Sequence, residues 1–457
     1  VLLSPLSCRD QIIAYKSTQS VSREKDPLME VLMLGWEFPP LISGGLGVAT
    51  YGMVKALRAS ANIRLIVPRS HPSSSLENVR IVGVDRALKE ELIREGRAYD
   101  LGDLVDDLQR IPLELSSYHS IRALLEETEH PSVMHESHTV KSLTQLGSYF
   151  EGHEAYGPDI QRKVYLFSRL ADLLSRNLDF KIIHAHDWVT YPAGMRIQAR
   201  TGKPLVLHVH ALETDRAGSE VRNGVYELEH RALRAADSII AVSEYTRDQL
   251  KRHYGIPPHR VHVVHNGIDP RPTQRRTHPF RDKLVVFLGR VTRQKGPEFL
   301  LETAQKVVRV YPRVKFVVAG TGDAFIPLLE TAAYRKLGRK FLFTGFLDRR
   351  RVDELLSMAD VYFMPSVSEP FGLTALEAAQ FGVPGVLSRQ SGAHEVLPAL
   401  TADFWDTDKY ANYIYALLQY NALHDDLARR SREMASRVTW DAAAARIAQI
   451  YRGLIPN

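Results

Sequence analysis

Ser368-Glu369-Pro370-Phe371-Gly372-Leu373-Thr374-Ala375-Leu376-Glu377-Ala378 is the stretch that decides how this chain is read. The apolar run Val361 to Met364 precedes it and Leu373 opens a segment of helix formers, which predicts strand, tight loop, helix. Pro370 and Gly372 suit the loop, and free amides at the helix start can receive a phosphate. Glu377 falls about one turn into the helix, where a carboxylate can accept both hydroxyls of a ribose, as in dinucleotide folds. Glu369, in the loop, would meet a sugar instead. Acidic residues in a first helical turn often only complement the dipole. That accounts for Glu377 but not for the loop.

Outward from this stretch the same rhythm recurs. Leu284 to Leu288, Val314 to Ala319, Phe341 to Thr344 and Gly385 to Ser388 read as further strands with helical segments between them. An earlier series has Val31 to Gly35, Ile63 to Val67, Lys181 to His186, Leu205 to Val209, Ser238 to Val242 and Val261 to Val264. Near-continuous apolar strands alternating with helices imply parallel sheets buried on both faces. A polar, proline-punctuated connector from Pro270 to Pro279 separates the two series. The fold class is therefore α/β, with two doubly wound Rossmann-like domains facing a cleft, where ligands bind beyond the carboxyl ends of the strands.

The expected division is an extension over 1–28, a first domain over 29–272 with an insertion at about 85–156, a second domain over 273–436, and a terminal helix within 437–457. The extension lacks periodicity and is expected to be mobile, with Met29 a candidate start. The insertion reads either as a surface excursion or as an element of acceptor recognition. In the terminal helix, Trp440, Ile447, Ile450 and Tyr451 recur at helical spacing.

Composition narrows the class of function. At 457 residues, with 44% hydrophobic and 25% charged residues, the chain has the make-up of a soluble globular protein with two cores. The net charge of +6 mildly favours anionic ligands, but no basic tract with interleaved aromatics points to nucleic acid. Cys8 is the sole cysteine, which excludes an internal disulfide and cysteine-rich metal sites and suggests a reducing, cytoplasmic setting. No apolar run approaches the roughly 20 residues of a membrane span.

Three other segments bear on chemistry. Gly44-Gly45-Leu46-Gly47 leads from the first strand into a helix, so its backbone can approach a phosphate or simply make a tight turn. Arg290 and Lys295 flank the turn after the strand Leu284 to Leu288, where a fork-shaped cation and a point charge together suit a diphosphate. His184, His186, His208 and His210 stand at alternate positions on two strands, a spacing that admits a metal but also follows from any strand's period of two. With Arg290 and Lys295 available to the diphosphate, no metal and no cofactor are expected. Asp406-Thr407-Asp408 resembles a metal-binding signature, yet it lies far from any nucleotide-binding strand and is expected to cap a helix.

On these motifs the chain resembles the retaining glycosyltransferases of family 4 and is similar to glycogen and starch synthases, all of the GT-B fold. The resemblance spans about 29–457 and rests on Gly44-Gly45-Leu46-Gly47, His184-Ala185-His186-Asp187-Trp188, His265-Asn266-Gly267-Ile268-Asp269, Gly289-Arg290 with Lys295-Gly296, and Glu369-Pro370-Phe371-Gly372-Leu373 with Glu377, in the family's order. It implies that Arg290 and Lys295 hold the diphosphate, Glu377 the ribose, and Glu369 with the Phe371, Gly372 and Leu373 amides the sugar and distal phosphate. His210 would contact the sugar near the reacting carbon. Gly44, Gly45, Asp187 and Asn266 complete the implied donor site, with His210, Arg290, Lys295 and Glu369 as the catalytic set. The terminal helix would cross back to the first domain.

The implied activity is transfer of a hexosyl unit, glucose by preference, from ADP- or UDP-glucose to a carbohydrate hydroxyl, an α-glucan by likeness to glycogen synthase. A small sugar, a lipid or a cell-surface glycan is the alternative acceptor. A nucleotide-sugar epimerase, a phosphorylase and a sugar-nucleotide binder without turnover are the competing classes. Oligomeric state is not legible in the sequence.

Overall fold

The computed structural model describes residues 28–42, 44–85, 150, 156–157, 159–276 and 281–455. The extension over 1–27 and nearly all of the insertion at 85–156 lie outside the described residues, as do 277–280 of the connector.

Two parallel sheets form. The first contains β1 (Met29–Leu34), β2 (Ala61–Val67), β3 (Val79–Gly83), β4 (Ile182–His186), β5 (Leu205–Val209), β6 (Ser238–Ala241) and β7 (Val261–Val263), in the order β3-β2-β1-β4-β5-β6-β7. The second contains β8 (Lys283–Leu288), β9 (Val314–Ala319), β10 (Phe341–Gly345), β11 (Val361–Met364), β12 (Gly385–Ser388) and β13 (Leu400–Ala402), in the order β10-β9-β8-β11-β12-β13. Every strand read from the sequence is present. Reading failed at β3 and β13, and both are edge strands. An edge strand has a neighbour on one side only, so it does not need the unbroken apolar run that marks an interior strand.

Helices cover both faces of the first sheet. Leu32, Leu34, Ile183, Ala185, Leu205, Leu207 and Val209 pack with the helices Ile160–Ser175 and Tyr191–Thr201. The residues that alternate with them, Val31, Met33, Ile182, Val206 and Ile240, pack with the helix Gly45–Leu57 and the terminal helix Trp440–Leu454. The terminal helix therefore returns to the first domain. Trp440 seats it: a Cβ on Gly52 would lie 2.2 Å from the Trp440 ring, and one on Gly267 would lie 2.1 Å from the Trp440 backbone nitrogen.

Helix ends follow local chemistry. Side chains of Asn223, Ser243, Asp348, Asp406 and Thr439 each accept an amide of the first turn they precede. Asp406 thus caps its helix, and Asp408 pairs with Lys306 at 2.8 Å.

In each sheet the strand order reverses once, between β1 and β4 and between β8 and β11. The crevices at these two switch points are where the fold places a ligand.

Candidate functional site

The two switch points are held against each other by hydrogen bonds across the domains. Ser243, the cap of the helix Glu244–Tyr254, donates through Oγ to the Pro370 carbonyl at 2.6 Å. Ser368 donates to Asp215, and Tyr245 Oη lies 2.9 Å from Ser368 Oγ. Glu395 accepts the amides of Glu244 and Tyr245 at 2.9 and 2.8 Å and meets His265 Nε2 at 2.8 Å. The loop carrying Glu369 is therefore laced to the first domain. Sequence reading missed Asp215, Ser243, Tyr245 and Glu395, because each acts on a partner more than a hundred positions away.

The first-domain wall begins after β1. Glu37 is buried, accepts the Gly44 amide at 3.2 Å and takes a hydrogen bond from the Tyr156 phenol. The phenol's ionisation is pushed well above its ordinary range, first by burial and then by the Glu37 and Asp187 carboxylates, with Arg290 opposing. Tyr156, at the end of the insertion, thus stands among groups of both domains. A Cβ on Gly44 or Gly45 would meet nothing within 4 Å, so the protein's own packing does not demand glycine there.

Asp187 directs its carboxylate at the backbone. Its Oδ1 accepts the amides of His210 at 2.7 Å and Ala211 at 3.2 Å, and its φ of 57° is left-handed. Burial raises its pKa to about 6 against the pull of Arg216 and those amides. Asp187 accordingly positions the His210 segment. His210 Nε2 lies 3.0 Å from His186 Nδ1, and burial lowers its pKa to about 3, which keeps the imidazole neutral.

The second-domain wall holds the charged groups. Arg290 is exposed at the end of β8 and makes no ion pair among the described residues. Lys295 forms an ion pair with Glu369, whose Oε2 also lies 3.4 Å from Ser366 Oγ. Glu369 is fixed from both sides, since its amide donates to the Gln390 carbonyl at 2.8 Å and its own carbonyl accepts the Gly392 amide at 3.0 Å. Gly372 has a φ of 101°, a conformation that favours glycine, and it caps the helix Leu373–Gln380. The Phe371 side chain is buried in the second domain's core, which leaves only its backbone to the cleft. The Phe371, Gly372 and Leu373 backbones thus sit at a helix start whose amides have no intrahelical acceptor.

Glu377 is buried and paired with Arg349. Burial raises its pKa and Arg349 counters that rise. Arg349 was not singled out from sequence. The available signal was a run of arginines, Arg349 to Arg351, at a helix start, where the dipole disfavours cations.

Asn266 lies on the domain seam between His265, which reaches Glu395, and Gly267, which abuts Trp440. It is buried, and no hydrogen bond of its side chain joins it to the charged cluster. The other implied residues lie after the carboxyl ends of β1, β4, β5, β8 and β11 or in the helix that follows β11.

No helix among the described residues is long and apolar enough to cross a membrane. Residues 270–434 match the family described as Glycosyl transferases group 1, and residues 135–271 match Glycosyltransferase Family 4. The chain is 31% identical over 306 residues to alpha-maltose-1-phosphate synthase of Mycolicibacterium smegmatis, covering 59% of this chain and 78% of that protein. It is 26% identical over 447 residues to glycogen synthase of Mycobacterium tuberculosis, covering 93% and 94%. Among solved structures, the catalytic domain of starch synthase IV from Arabidopsis thaliana bound to ADP and acarbose superposes with a TM-score of 0.65 at 15% identity, over 94% of this chain and 99% of that one. That likeness is one of fold.

Proposed function

The chain belongs to the group 1 and family 4 glycosyltransferases, and from that premise we propose that it moves a glucosyl unit from ADP- or UDP-glucose to a hydroxyl of an α-glucan, with retention and without a metal in the transfer step. What supports this reading is the Lys295 and Glu369 pair beside the start of the helix Leu373–Gln380, on a loop that Ser243 and Asp215 tie to the first domain. In this reading one wall supplies cations and amides, and the other a neutral histidine.

In the proposed reaction the bond between sugar and diphosphate loosens first. Negative charge then grows on the leaving diphosphate, where Arg290, Lys295 and the helix-start amides act as donors to it, Lys295 being held in place by Glu369. Preorganised donors of this kind are worth about 2.7–4 kcal/mol each where removal has been measured in other enzymes. His210, being neutral, can exchange a hydrogen bond with a sugar hydroxyl without adding charge beside a carbon that is becoming positive. The departing phosphate oxygen takes the acceptor's proton. The α-glucan acceptor and the choice of ADP or UDP rest on the relatives named glycogen synthase and starch synthase.

The test is to incubate pure protein with a panel of nucleotide sugars and an α-glucan primer, measuring released nucleotide, chain extension and the anomer of the new bond. Release from ADP- or UDP-glucose with an α-linked product is expected. No release from any donor defeats the reading, and a β-linked product defeats retention.

A further inference from the structure

The face of the first sheet beneath the helix Gly45–Leu57 and the terminal helix is apolar at Val31, Met33, Ile182, Val206 and Ile240. At the carboxyl ends of β4 and β5 that apolar pattern gives way to His184, His186, His208 and His210. The register pairs His186 with His208 across the strands. His184, His186 and His208 are fully or almost fully buried. A period of two explains why these side chains share a face, but not why imidazoles stand where neighbours are aliphatic.

Their nitrogens divide in an unusual way. His184 Nδ1 meets the Tyr451 hydroxyl at 2.5 Å, and His186 Nδ1 meets His210 Nε2. The other nitrogen of each ring, Nε2, is buried without a partner, and His208 has no partner on either nitrogen. A buried polar nitrogen without a partner is costly unless something satisfies it. Four such nitrogens in one cluster call for a ligand or water to satisfy them.

We propose that His184, His186 and His208 bind one divalent transition-metal ion, zinc by preference, between the first sheet and the helices that cover it. Imidazole donors with no thiolate and no carboxylate among them suit zinc and its neighbours in the first transition row. The candidate ligand atoms lie within 4.8 Å of one another. A tetrahedral ion with Zn–N bonds of about 2.0–2.1 Å draws its nitrogens to roughly 3.3 Å apart. The rings are stacked or tilted, at 7° between His184 and His208, 25° between His186 and His208 and 32° between His184 and His186, so binding requires them to turn about χ2, a soft torsion for imidazole.

The hydrogen bonds of the other ring nitrogens fit that binding. A neutral histidine ligated through Nε2 carries its proton on Nδ1 and needs an acceptor there. Tyr451 serves His184 and His210 serves His186 in that way. Two consequences follow. Tyr451 ties the terminal helix to the ion. His186, donating to His210 Nε2, forces the His210 proton onto Nδ1 and so fixes what His210 can offer a ligand; this last step alone rests on the function proposed above.

The test needs no activity assay. Protein produced with added zinc, passed through a desalting column, is measured for metal content, and a cobalt-loaded sample is scanned for visible d–d absorption. About one ion per chain is expected, falling to background in His208→Leu and in His184→Gln, with His253→Ala unchanged. Loss of the metal to a strong chelator should lower the unfolding midpoint of the wild type and leave that of His208→Leu unmoved. Should either variant fail to fold, metal content and chelator response of the wild type still decide. A metal-free wild type that takes up neither zinc nor cobalt overturns the proposal, in favour of water at the orphan nitrogens. A stoichiometric metal retained in both variants overturns it equally.

Discussion

Lys295 and Glu369, both assigned to the donor from sequence, are bound to each other across 74 positions of the chain, with side chains only 20% and 10% exposed. The pair ties the turn after β8 to the loop after β11, so the two motifs of the second switch point are one unit. Lys295→Met should lower kcat/KM by about 10²–10³ through loss of a donor to the leaving diphosphate. It should also reduce stability by about 1–3 kcal/mol by leaving Glu369 unpaired. Adding Glu369→Gln should restore stability but not turnover. Recovery of turnover in the double variant, measured by nucleotide release, would show that Lys295 serves only the fold.

Arg349 holds one oxygen of Glu377 and keeps a buried carboxylate charged against the effect of its burial. Without Arg349 the Glu377 pKa rises further, and a protonated carboxyl is a poorer acceptor for two ribose hydroxyls. Arg349→Ala should therefore raise the donor KM at mildly acid pH and recover as pH increases, because the carboxylate re-forms. In Glu377→Ala the KM should be raised about tenfold, equivalent to ~1.4 kcal/mol, and should not respond to pH. Steady-state kinetics across pH would separate these outcomes, and a flat profile for Arg349→Ala would remove Arg349 from the donor site.

Asp187 holds the His210 and Ala211 amides while itself in a left-handed conformation that asparagine tolerates and alanine does not. Asp187→Asn keeps an acceptor oxygen and should retain most activity. Asp187→Ala should lose it mainly in kcat, as His210 drifts from position. Equal activity in the two variants would sink the positioning role.

Gly267 has no room for a methyl group, since the obstacle is the Trp440 backbone rather than a movable ring. Gly267→Ala should undock the terminal helix and cost at least about 1–3 kcal/mol. Denaturant titration followed by tryptophan emission would show both the loss and the exposure of Trp440. An unchanged midpoint would mean that the helix contributes little to the stability of the first domain.

At the domain seam, burial raises the Glu395 pKa, but hydrogen bonds from His265 and from the amides of Tyr245 and Glu244 outweigh it, and the net shift is downward. A carboxylate with a depressed folded pKa contributes stability above its unfolded pKa and loses it as pH falls through the folded one. The stability gap between wild type and Glu395→Gln should therefore be widest at neutral pH and close in acid. A gap that persists at low pH would assign the effect to packing.

The sequence by itself determined the two strand series, the placement of Gly44, Arg290, Lys295 and Glu369 in loops after strands and of Glu377 one turn into a helix, and the cap at Asp406, because each depends on residues within a turn or a strand of one another. It also showed four histidines at alternate positions on two strands. Only the tertiary structure decided which charges meet: Lys295 with Glu369, Arg349 with Glu377, and Glu395 with the start of a helix from the other domain. It likewise decided that buried histidine nitrogens lie without partners beneath the terminal helix. Side chains separated by tens to hundreds of positions share no local periodicity. Their contacts are set by strand order and domain packing, which one sequence encodes only through the fold as a whole.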